Sequence, residues 1–287
     1  MKLDHVRPGR KPPQRNPDPR SARLDSGNLG FFSKPVRLTS GPDRGRIAKI
    51  YRPIADQKLC QIVSRNHGVY LAKLNKAGIR VPPTELRIVP LGRRWMIRIV
   101  QDAFREDELV RGIIMRSDSN RCLRVLGSLL DDTLKFLSWK RQSGETVGFH
   151  PTLRNYAFRN GKVWYFDTFP PMWGWDQKGL NRIIITFAPF GIFRFLRFLS
   201  GRWVNRVTNE YFRDDLMITG IIGSACRLRP DLADGILSFS RSYLTRRIRE
   251  KGLLRRILAI LSRPPRLPGV WVFLRGLVGK EGRPNIR

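Results

Sequence analysis

Two polar side chains flank a predicted β-hairpin near the middle of the chain. Residues 148–171 read G-F-H-P-T-L-R-N-Y-A-F-R-N-G-K-V-W-Y-F-D-T-F-P-P, in which two extended runs enclose an Asn-Gly turn. Asn155 enters the first run and Asp167 follows the second, so we expect both side chains at the open end of the hairpin. Carboxylate and amide oxygens suit a magnesium ion that carries nucleotide phosphates. An ordinary hairpin with polar ends is the alternative interpretation.

A lysine on an upstream strand could complete such a site. Residues 46–51 (R-I-A-K-I-Y) alternate so that Lys49 shares one strand face with Ile47 and Tyr51. A lysine between apolar neighbours is favourable in a cleft where an anionic partner compensates its charge. A solvated lysine on an ordinary strand is the alternative.

The elements around these residues alternate between strand and helix patterns. Strands are predicted at 31–39, 46–51, 81–90 and 94–100, and a helix at 55–77 that Asp56 caps and Gly78 ends. One or two helices at 107–140 lead to the loop that carries His150, and further helices are predicted at 211–226 and 230–249. The sequence therefore predicts an α+β fold.

At these residues the chain resembles the protein-kinase-like superfamily. The similarity covers about residues 27–171 and is closer to the bacterial small-molecule and lipopolysaccharide-kinase branch than to the eukaryotic protein kinases. It implies a two-lobed fold with a small β-rich N-lobe and a mostly helical C-lobe, and it implies ATP and Mg²⁺ as cofactors. In that scheme Asn155 and Asp167 are the metal ligands, and Lys49 contacts the nucleotide phosphates.

The resemblance also assigns the nucleotide-binding segments. A glycine-containing turn with Gly27 and Gly30 would lie against the nucleotide, and Gln101 opens the segment that corresponds to the interlobe hinge. The implied domains are a disordered basic arm at 1–23, an N-lobe at 24–104, a C-lobe at 105–249 and a basic amphipathic tail at 250–287.

The sequence departs from the family pattern at two positions. The family's catalytic Asp lies five residues before the metal-binding Asn, and here that position is His150. His150 could accept the acceptor proton or position the hydroxyl, and its presence is equally compatible with a protein that binds nucleotide without transferring phosphate. The helix at 55–77 has no Glu or Asp beyond Gln57 to pair with Lys49, and Gln61 offers only a neutral hydrogen bond.

The charge of the chain favours phosphate-rich partners. The 55 basic and 23 acidic residues give a net charge of +32, which attracts nucleotides, nucleic acid and anionic lipid. The cysteines Cys60, Cys122 and Cys226 are widely separated, which indicates neither a zinc site nor a disulfide framework and favours a cytoplasmic location.

Apolar and basic residues are mixed in the C-terminal part. The uncharged run 183–193 is too short to cross a bilayer. Residues 245–261 and 266–280 combine Arg with Leu, Ile and Trp, a pattern that suits the surface of an anionic membrane. A core-facing helix with a solvated Arg face is the alternative.

The resemblance, together with the basic C-terminal part, implies an ATP- and Mg²⁺-dependent phosphotransferase acting on a small-molecule, saccharide or lipid-linked hydroxyl. The expected location is the cytoplasm, with peripheral contact at the inner face of the membrane. A nucleotide-binding pseudokinase and a basic nucleic-acid-binding protein are the alternatives.

Overall fold

A computed structural model describes residues 33–187 and 208–265. The fold is α+β, as the sequence predicts: an antiparallel sheet and one helix form the first part, and helices around a short hairpin form the second. Gly27, Gly30, the predicted tail at 266–280 and part of the run at 183–193 lie outside the described residues.

Four antiparallel strands form the sheet in the order β1-β2-β4-β3. Their bounds are Lys34–Arg37 for β1, Ile47–Ile50 for β2, Thr84–Leu91 for β3 and Arg94–Gln101 for β4. Lys49 pairs with Pro35 on one side and with Ile99 on the other. Strand β2 is therefore an inner strand, and its neighbours fix the position of Lys49.

Helix α1 spans Gln57–Lys76 and packs on the sheet. The Asp56 side chain accepts a 2.9 Å hydrogen bond from the Leu59 backbone N–H, so the predicted cap is confirmed. Gly78, at φ 77°, follows the end of the helix in the left-handed conformation that glycine adopts without steric cost. Leu59, Cys60 and Val63 pack in one apolar cluster with sheet residues such as Ile97 and Ile99.

The second part of the chain is mostly helical. Its helices are α2 (Val110–Arg116), α3 (Ser119–Ser143), α4 (Gln177–Phe187), α5 (Asp214–Leu228), α6 (Ala233–Arg247) and α7 (Lys251–Ile260), and its hairpin strands are β5 (Tyr156–Arg159) and β6 (Lys162–Tyr165). Short 3-10 turns occupy Glu106–Glu108, Leu153–Asn155 and Pro230–Leu232. The larger hydrophobic core lies among these helices and the hairpin.

The run at 245–261 spans the end of one helix and most of the next. Helix α6 ends at Arg247, and α7 begins at Lys251 after a break. Leu253, Ile257 and Leu261 are buried in the main core, so this segment follows the core-facing alternative. Within the described residues, no helix has the length and apolar character needed to cross a membrane.

The three cysteines are all buried and carry free thiols. Burial raises the pKa of the Cys60 and Cys226 thiols to about 11, so both remain protonated at neutral pH. They contribute to packing as small apolar side chains.

Candidate functional site

The hairpin places its two polar ends through a tight turn. Asn160 and Gly161 have φ of 52° and 72°, which matches the turn that an Asn-Gly step predicts, and Arg159 pairs with Lys162 across it. Strand β5 begins only at Tyr156, because Leu153–Asn155 forms a 3-10 turn. The Asn155 N–H closes this turn by donating to the Thr152 carbonyl at 2.9 Å. Asn155 therefore lies immediately before β5 instead of within it.

Asn155 lies next to the segment that carries Asp167. The Phe166 N–H donates a 3.0 Å hydrogen bond to the Asn155 backbone carbonyl. The Asn155 side chain is buried, and its amide nitrogen donates to the His150 backbone carbonyl at 3.0 Å. The side-chain amide thus closes the loop from His150 to Asn155, and its oxygen is the atom with which Asn155 can bind a cation.

Lys49 reaches the same place from the sheet. Its Nζ donates a 2.6 Å hydrogen bond to the Phe166 backbone carbonyl and lies 3.8 Å from Oδ1 of Asp167. The Lys49 side chain is 11% exposed and that of Asp167 is 36% exposed, so the carboxylate faces an opening while the lysine lies deeper. The fold therefore gathers Lys49, Asn155 and Asp167 at one junction between sheet and hairpin.

The surroundings of this junction disfavour isolated charges. Burial raises the pKa of the Asp167 carboxyl, which the ammonium of Lys49 and the guanidinium of Arg154 partly offset. Burial likewise lowers the pKa of Lys49, and Asp167 opposes that change. Each charge thus depends on the other, and a further anion or divalent cation would interact strongly in this environment.

The donor set fits a magnesium ion that is held only in part by protein. Nζ of Lys49 lies 3.8 Å from Oδ1 of Asp167, beyond hydrogen-bond distance, so this ion pair leaves the carboxylate able to bind a cation. The part of the chain that the structure describes contains no cluster of three or more His, Cys, Asp or Glu side chains that could enclose a metal. One carboxylate and one amide oxygen match Mg²⁺, which commonly takes its other ligands from substrate phosphates and water.

His150 lies on the loop that Asn155 closes. Its ring centroid is 4.5 Å from that of Tyr211, and its backbone carbonyl also accepts from the Thr152 N–H at 3.0 Å. The side chain reaches the surface in part, yet the protein around it lowers its pKa to about 3 through burial, with a smaller contribution from Arg154. The imidazole is neutral at pH 7 and can hydrogen-bond a hydroxyl, but such a low pKa makes it a weak proton acceptor.

The structure identifies a site residue that the sequence interpretation missed. Gln61 is exposed on α1, whereas His67 is buried, with Nε2 2.9 Å from Oγ1 of Thr168. Burial, and then the charge of Lys49, lowers the pKa of His67 to about 4, so α1 offers a neutral imidazole near Lys49. The helical spacing of Cys60, Val63, His67 and Tyr70, which share the buried face of α1, is the signal that could have identified it.

Gln101 is the last residue of β4 and is 2% exposed. Its side-chain amide donates to Oγ1 of Thr84 at 2.9 Å, which ties the end of β4 to the start of β3. The chain then leaves the sheet, and the Asp102 N–H donates to the Pro83 carbonyl at 3.2 Å. This exit leads to the helical part, so Gln101 lies where the two parts of the fold are joined.

A model of the family of unknown function DUF6206 matches residues 18–282. The chain belongs to the DUF6206 family. No curated protein matches the sequence. The DUF6206 match includes Lys49, His150, Asn155 and Asp167, so the whole junction lies within the family region.

Proposed function

We propose that this DUF6206 protein is an ATP- and Mg²⁺-dependent phosphotransferase that acts on a small-molecule, saccharide or lipid-linked hydroxyl. The supporting observation is the convergence of Lys49, Asn155 and Asp167, which come from β2, the turn before β5 and the segment after β6. An ammonium beside a carboxylate, with an asparagine bonded through its backbone to the same segment, suits a nucleotide phosphate accompanied by a divalent cation.

The proposed architecture is a two-lobed, protein-kinase-like fold. The four-stranded sheet with α1 would be the N-lobe, and the helices from α2 onward would be the C-lobe. Residues 102–105 join them, and Arg159 of the hairpin donates to the Ala103 carbonyl at 3.0 Å. The adenine would lie beside this connection, near Gln101.

Each site residue has a separate role in the proposal. Asp167 and Asn155 would hold the metal, and Lys49 would neutralise a phosphate oxygen. The bound magnesium nucleotide supplies a terminal phosphate whose charge is partly neutralised. His150 would accept a hydrogen bond from the acceptor hydroxyl and orient its oxygen. That oxygen would form the new P–O bond to the terminal phosphate as the bond between this phosphate and the leaving ADP breaks. With its pKa near 3, His150 suits positioning better than proton removal, and solvent takes the proton.

Nucleotide binding without transfer is the second candidate function. It is favoured by the same low pKa of His150, which stands where the kinase-like enzymes that the sequence resembles carry a carboxylate. The two candidates share the nucleotide site and differ only in turnover, so binding and turnover require separate measurements.

The first experiment measures the melting temperature of the protein with ATP, with Mg²⁺ and with both. A ligand that binds only the folded state raises the melting temperature by mass action. We expect a shift that requires both components, that disappears in Asp167→Asn and that persists in Asp176→Asn. Asp176 is a matched control, because it is exposed, receives the Gly179 N–H at the start of α4, and Asn can keep that cap.

The outcomes separate the proposals. The absence of any shift with ATP and Mg²⁺ contradicts both nucleotide-dependent functions. A shift without ADP formation in the presence of candidate hydroxyl compounds favours the binding protein. Tight, salt-sensitive binding to oligonucleotides that Asp167→Asn leaves unchanged, with no ATP shift, favours a nucleic-acid-binding protein.

A further inference from the structure

A cavity of about 820 Å³ lies in the helical part, away from the sheet. Helix α5, the turn that precedes it and the segment from the end of α7 to Pro265 form its walls. Its lining combines arginine side chains with apolar side chains, and neither the proposed nucleotide site nor the connection between the lobes includes any of them.

The charged part of the cavity is strongly basic. Among the described residues, its lining includes three arginines, Arg213, Arg227 and Arg263, and one acidic residue, Glu210. Arg213 is already paired, since its Nη2 lies 2.7 Å from Oδ2 of Asp215. Arg263 is exposed. With Arg213 paired, Arg227 and Arg263 outnumber Glu210, so the lining keeps a net positive charge.

Arg227 is held rigidly but is not fully satisfied. Its Nη1 donates to the Pro265 carbonyl at 2.7 Å, and its Nη2 donates to Oγ of Ser224 at 3.2 Å. Its Nε is buried and has no hydrogen-bond partner within the described residues. The charge of Glu210, in the same lining, opposes only in part the effect of burial on the pKa of Arg227. A largely buried cation is costly unless anionic groups accompany it.

The fold makes room for this arginine at a glycine. A β-carbon on Gly223 would lie 3.0 Å from Nη1 of Arg227 and 2.9 Å from Cβ of Pro265. The guanidinium therefore occupies space that another residue type at this position would fill. Burial lowers the pKa of Arg227 to about 10, so the side chain stays charged at neutral pH.

The remainder of the lining is largely apolar. Leu216, Ile260 and Pro264 contribute apolar surface, and Gly220 on α5 leaves open space, because a β-carbon there would meet no atom within 4 Å. A ligand that matches both parts carries an anionic group on an apolar body. Inorganic phosphate would match only the arginines.

We propose that this cavity is a binding site for an anionic amphiphile, a molecule that carries a phosphate monoester on an apolar body. Arg227 and Arg263 bind the phosphate, and the walls from α5 and α7 contact the apolar part. A phospholipid and a soluble phosphorylated apolar compound share this chemistry. The proposal does not depend on phosphate transfer, and it is tested without nucleotide.

The segment that lines one side of the cavity also contacts His150. Asn209, Glu210 and Arg213 line it, while Tyr211 within the same segment contacts the His150 ring and accepts a 2.7 Å hydrogen bond from the Phe149 N–H at its backbone carbonyl. A ligand in the cavity would therefore restrain the segment that supports the His150 loop.

The test is calorimetric titration of the full chain with dihexanoyl phosphatidic acid below its micelle concentration. We expect saturable binding of one molecule per chain, with affinity at least about tenfold above that for inorganic phosphate and for zwitterionic dihexanoyl phosphatidylcholine. Binding to phosphatidic acid vesicles as well would identify a membrane lipid as a source, and binding to the monomeric ligand alone would identify a soluble compound.

Two variants test the cavity. One fills its open space with a side chain, and the other removes a positive charge from its lining. Gly220→Leu places a side chain in the open space without a clash and should lower affinity by at least about tenfold, while Gly235→Leu, an exposed glycine on α6 with equal space, should not. Arg227→Met should lower affinity by a similar factor, while Arg246→Met, an exposed arginine outside the lining, should leave it unchanged.

Several results would overturn the proposal. These are the absence of saturable binding to the unmodified protein, equal affinity for inorganic phosphate or phosphatidylcholine, and equal losses in Gly220→Leu and Gly235→Leu. No titration contains nucleotide. A negative titration therefore does not contradict ATP binding, and the absence of ATP binding does not contradict ligand binding in the cavity.

Discussion

The ammonium of Lys49 lies 3.8 Å from the carboxylate of Asp167, and this ion pair joins the four-stranded sheet to the segment that follows the hairpin. The lysine also donates to the carbonyl of Phe166, the residue before Asp167. Burial lowers the pKa of Lys49 and raises that of Asp167, so the pair is sensitive to any ligand that brings charge to the junction.

Replacing Lys49 with methionine should weaken the binding of magnesium nucleotide. The substitution keeps an unbranched side chain and removes the charge that would contact a phosphate oxygen. A charge-assisted hydrogen bond to phosphate is worth roughly 1.5–3 kcal/mol, so we expect affinity to fall by at least about tenfold in calorimetric titration. Lys58→Met, on the exposed side of α1, is the matched control. Equal affinities of the two variants would exclude a phosphate contact by Lys49.

The imidazole of His150 should remain neutral throughout the physiological range. Its pKa of about 3 and the value of about 4 for His67 both result mainly from burial. Nuclear magnetic resonance of the ring carbons and nitrogens should show both rings unprotonated at pH 5, with assignments from His150→Asn and His67→Asn. A ring that titrates near pH 6.5 and disappears in His150→Asn would restore a proton-accepting role.

His150 and His67 also affect stability in a defined direction. Both pKa values are lower in the folded chain than in the unfolded chain, so their contribution is present above about pH 6.5 and is lost as the pH falls toward 4. In denaturant titrations, the His67→Asn variant should lose less stability than the unmodified protein between pH 7 and pH 5. A parallel pH dependence of the two proteins would contradict the burial of His67.

Replacing Asp132 with asparagine should stabilise the protein at neutral pH. Asp132 is 2% exposed, its Oδ2 has no hydrogen-bond partner within the described residues, and burial raises its pKa to about 6. The folded-state pKa is raised, so the contribution of Asp132 is favourable below about pH 4 and is lost as the pH rises through 6. At pH 7, relative to pH 4, we expect Asp132→Asn to raise the free energy of unfolding by on the order of 3 kcal/mol.

Chemical denaturation of both proteins across pH 4 to 7 measures this difference. Asp131→Asn is the neighbouring control, because Asp131 forms a largely exposed ion pair with Arg247 at 3.1 Å and should contribute little. Lys135, whose Nζ lies 3.6 Å from Oδ1 of Asp132, offsets the effect of burial only in part. A difference between Asp132→Asn and the unmodified protein that does not change with pH would contradict a raised pKa of Asp132.

Replacing Glu108 with glutamine should destabilise the connection between the two parts of the fold. Arg159 donates to both carboxylate oxygens of Glu108 at 2.7 Å, and the Arg105 N–H donates to the same carboxylate at 2.7 Å. We expect a loss of roughly 1.5–3 kcal/mol in the free energy of unfolding. Asp107→Asn is the matched control, since its pair with Arg105 is mostly exposed.

The Glu108 pair also predicts acid sensitivity. Mainly through the Arg159 hydrogen bonds, the pKa of Glu108 is lowered from its ordinary value near 4.5 to about 2. Its contribution is therefore present above about pH 4.5 and is lost as the pH falls toward 2. The Glu108→Gln variant should approach the stability of the unmodified protein as the pH is lowered, and a constant gap would contradict this account.

The sequence by itself determined the features that depend on near neighbours. The Asp56 cap, the Asn-Gly turn and the α+β order of elements follow from side-chain chemistry within a few residues, and each was predicted correctly. The helix predicted at 230–249 agrees with the end of α6 at Arg247. The sequence left open whether the run 245–261 contacts a membrane or the core, because basic and apolar residues at helical spacing suit both, and the burial of Leu253 and Ile257 depends on distant parts of the chain.

Only the tertiary structure decided which distant groups meet and how each is solvated. It brings Lys49 to Asp167, turns His67 instead of Gln61 toward the interior and gives His150 a very low pKa. It also assembles a basic cavity from segments that look unrelated in the sequence. The reason is physical: turns and caps are set by local hydrogen bonds, whereas burial, pKa and long-range contacts depend on how the whole chain excludes water.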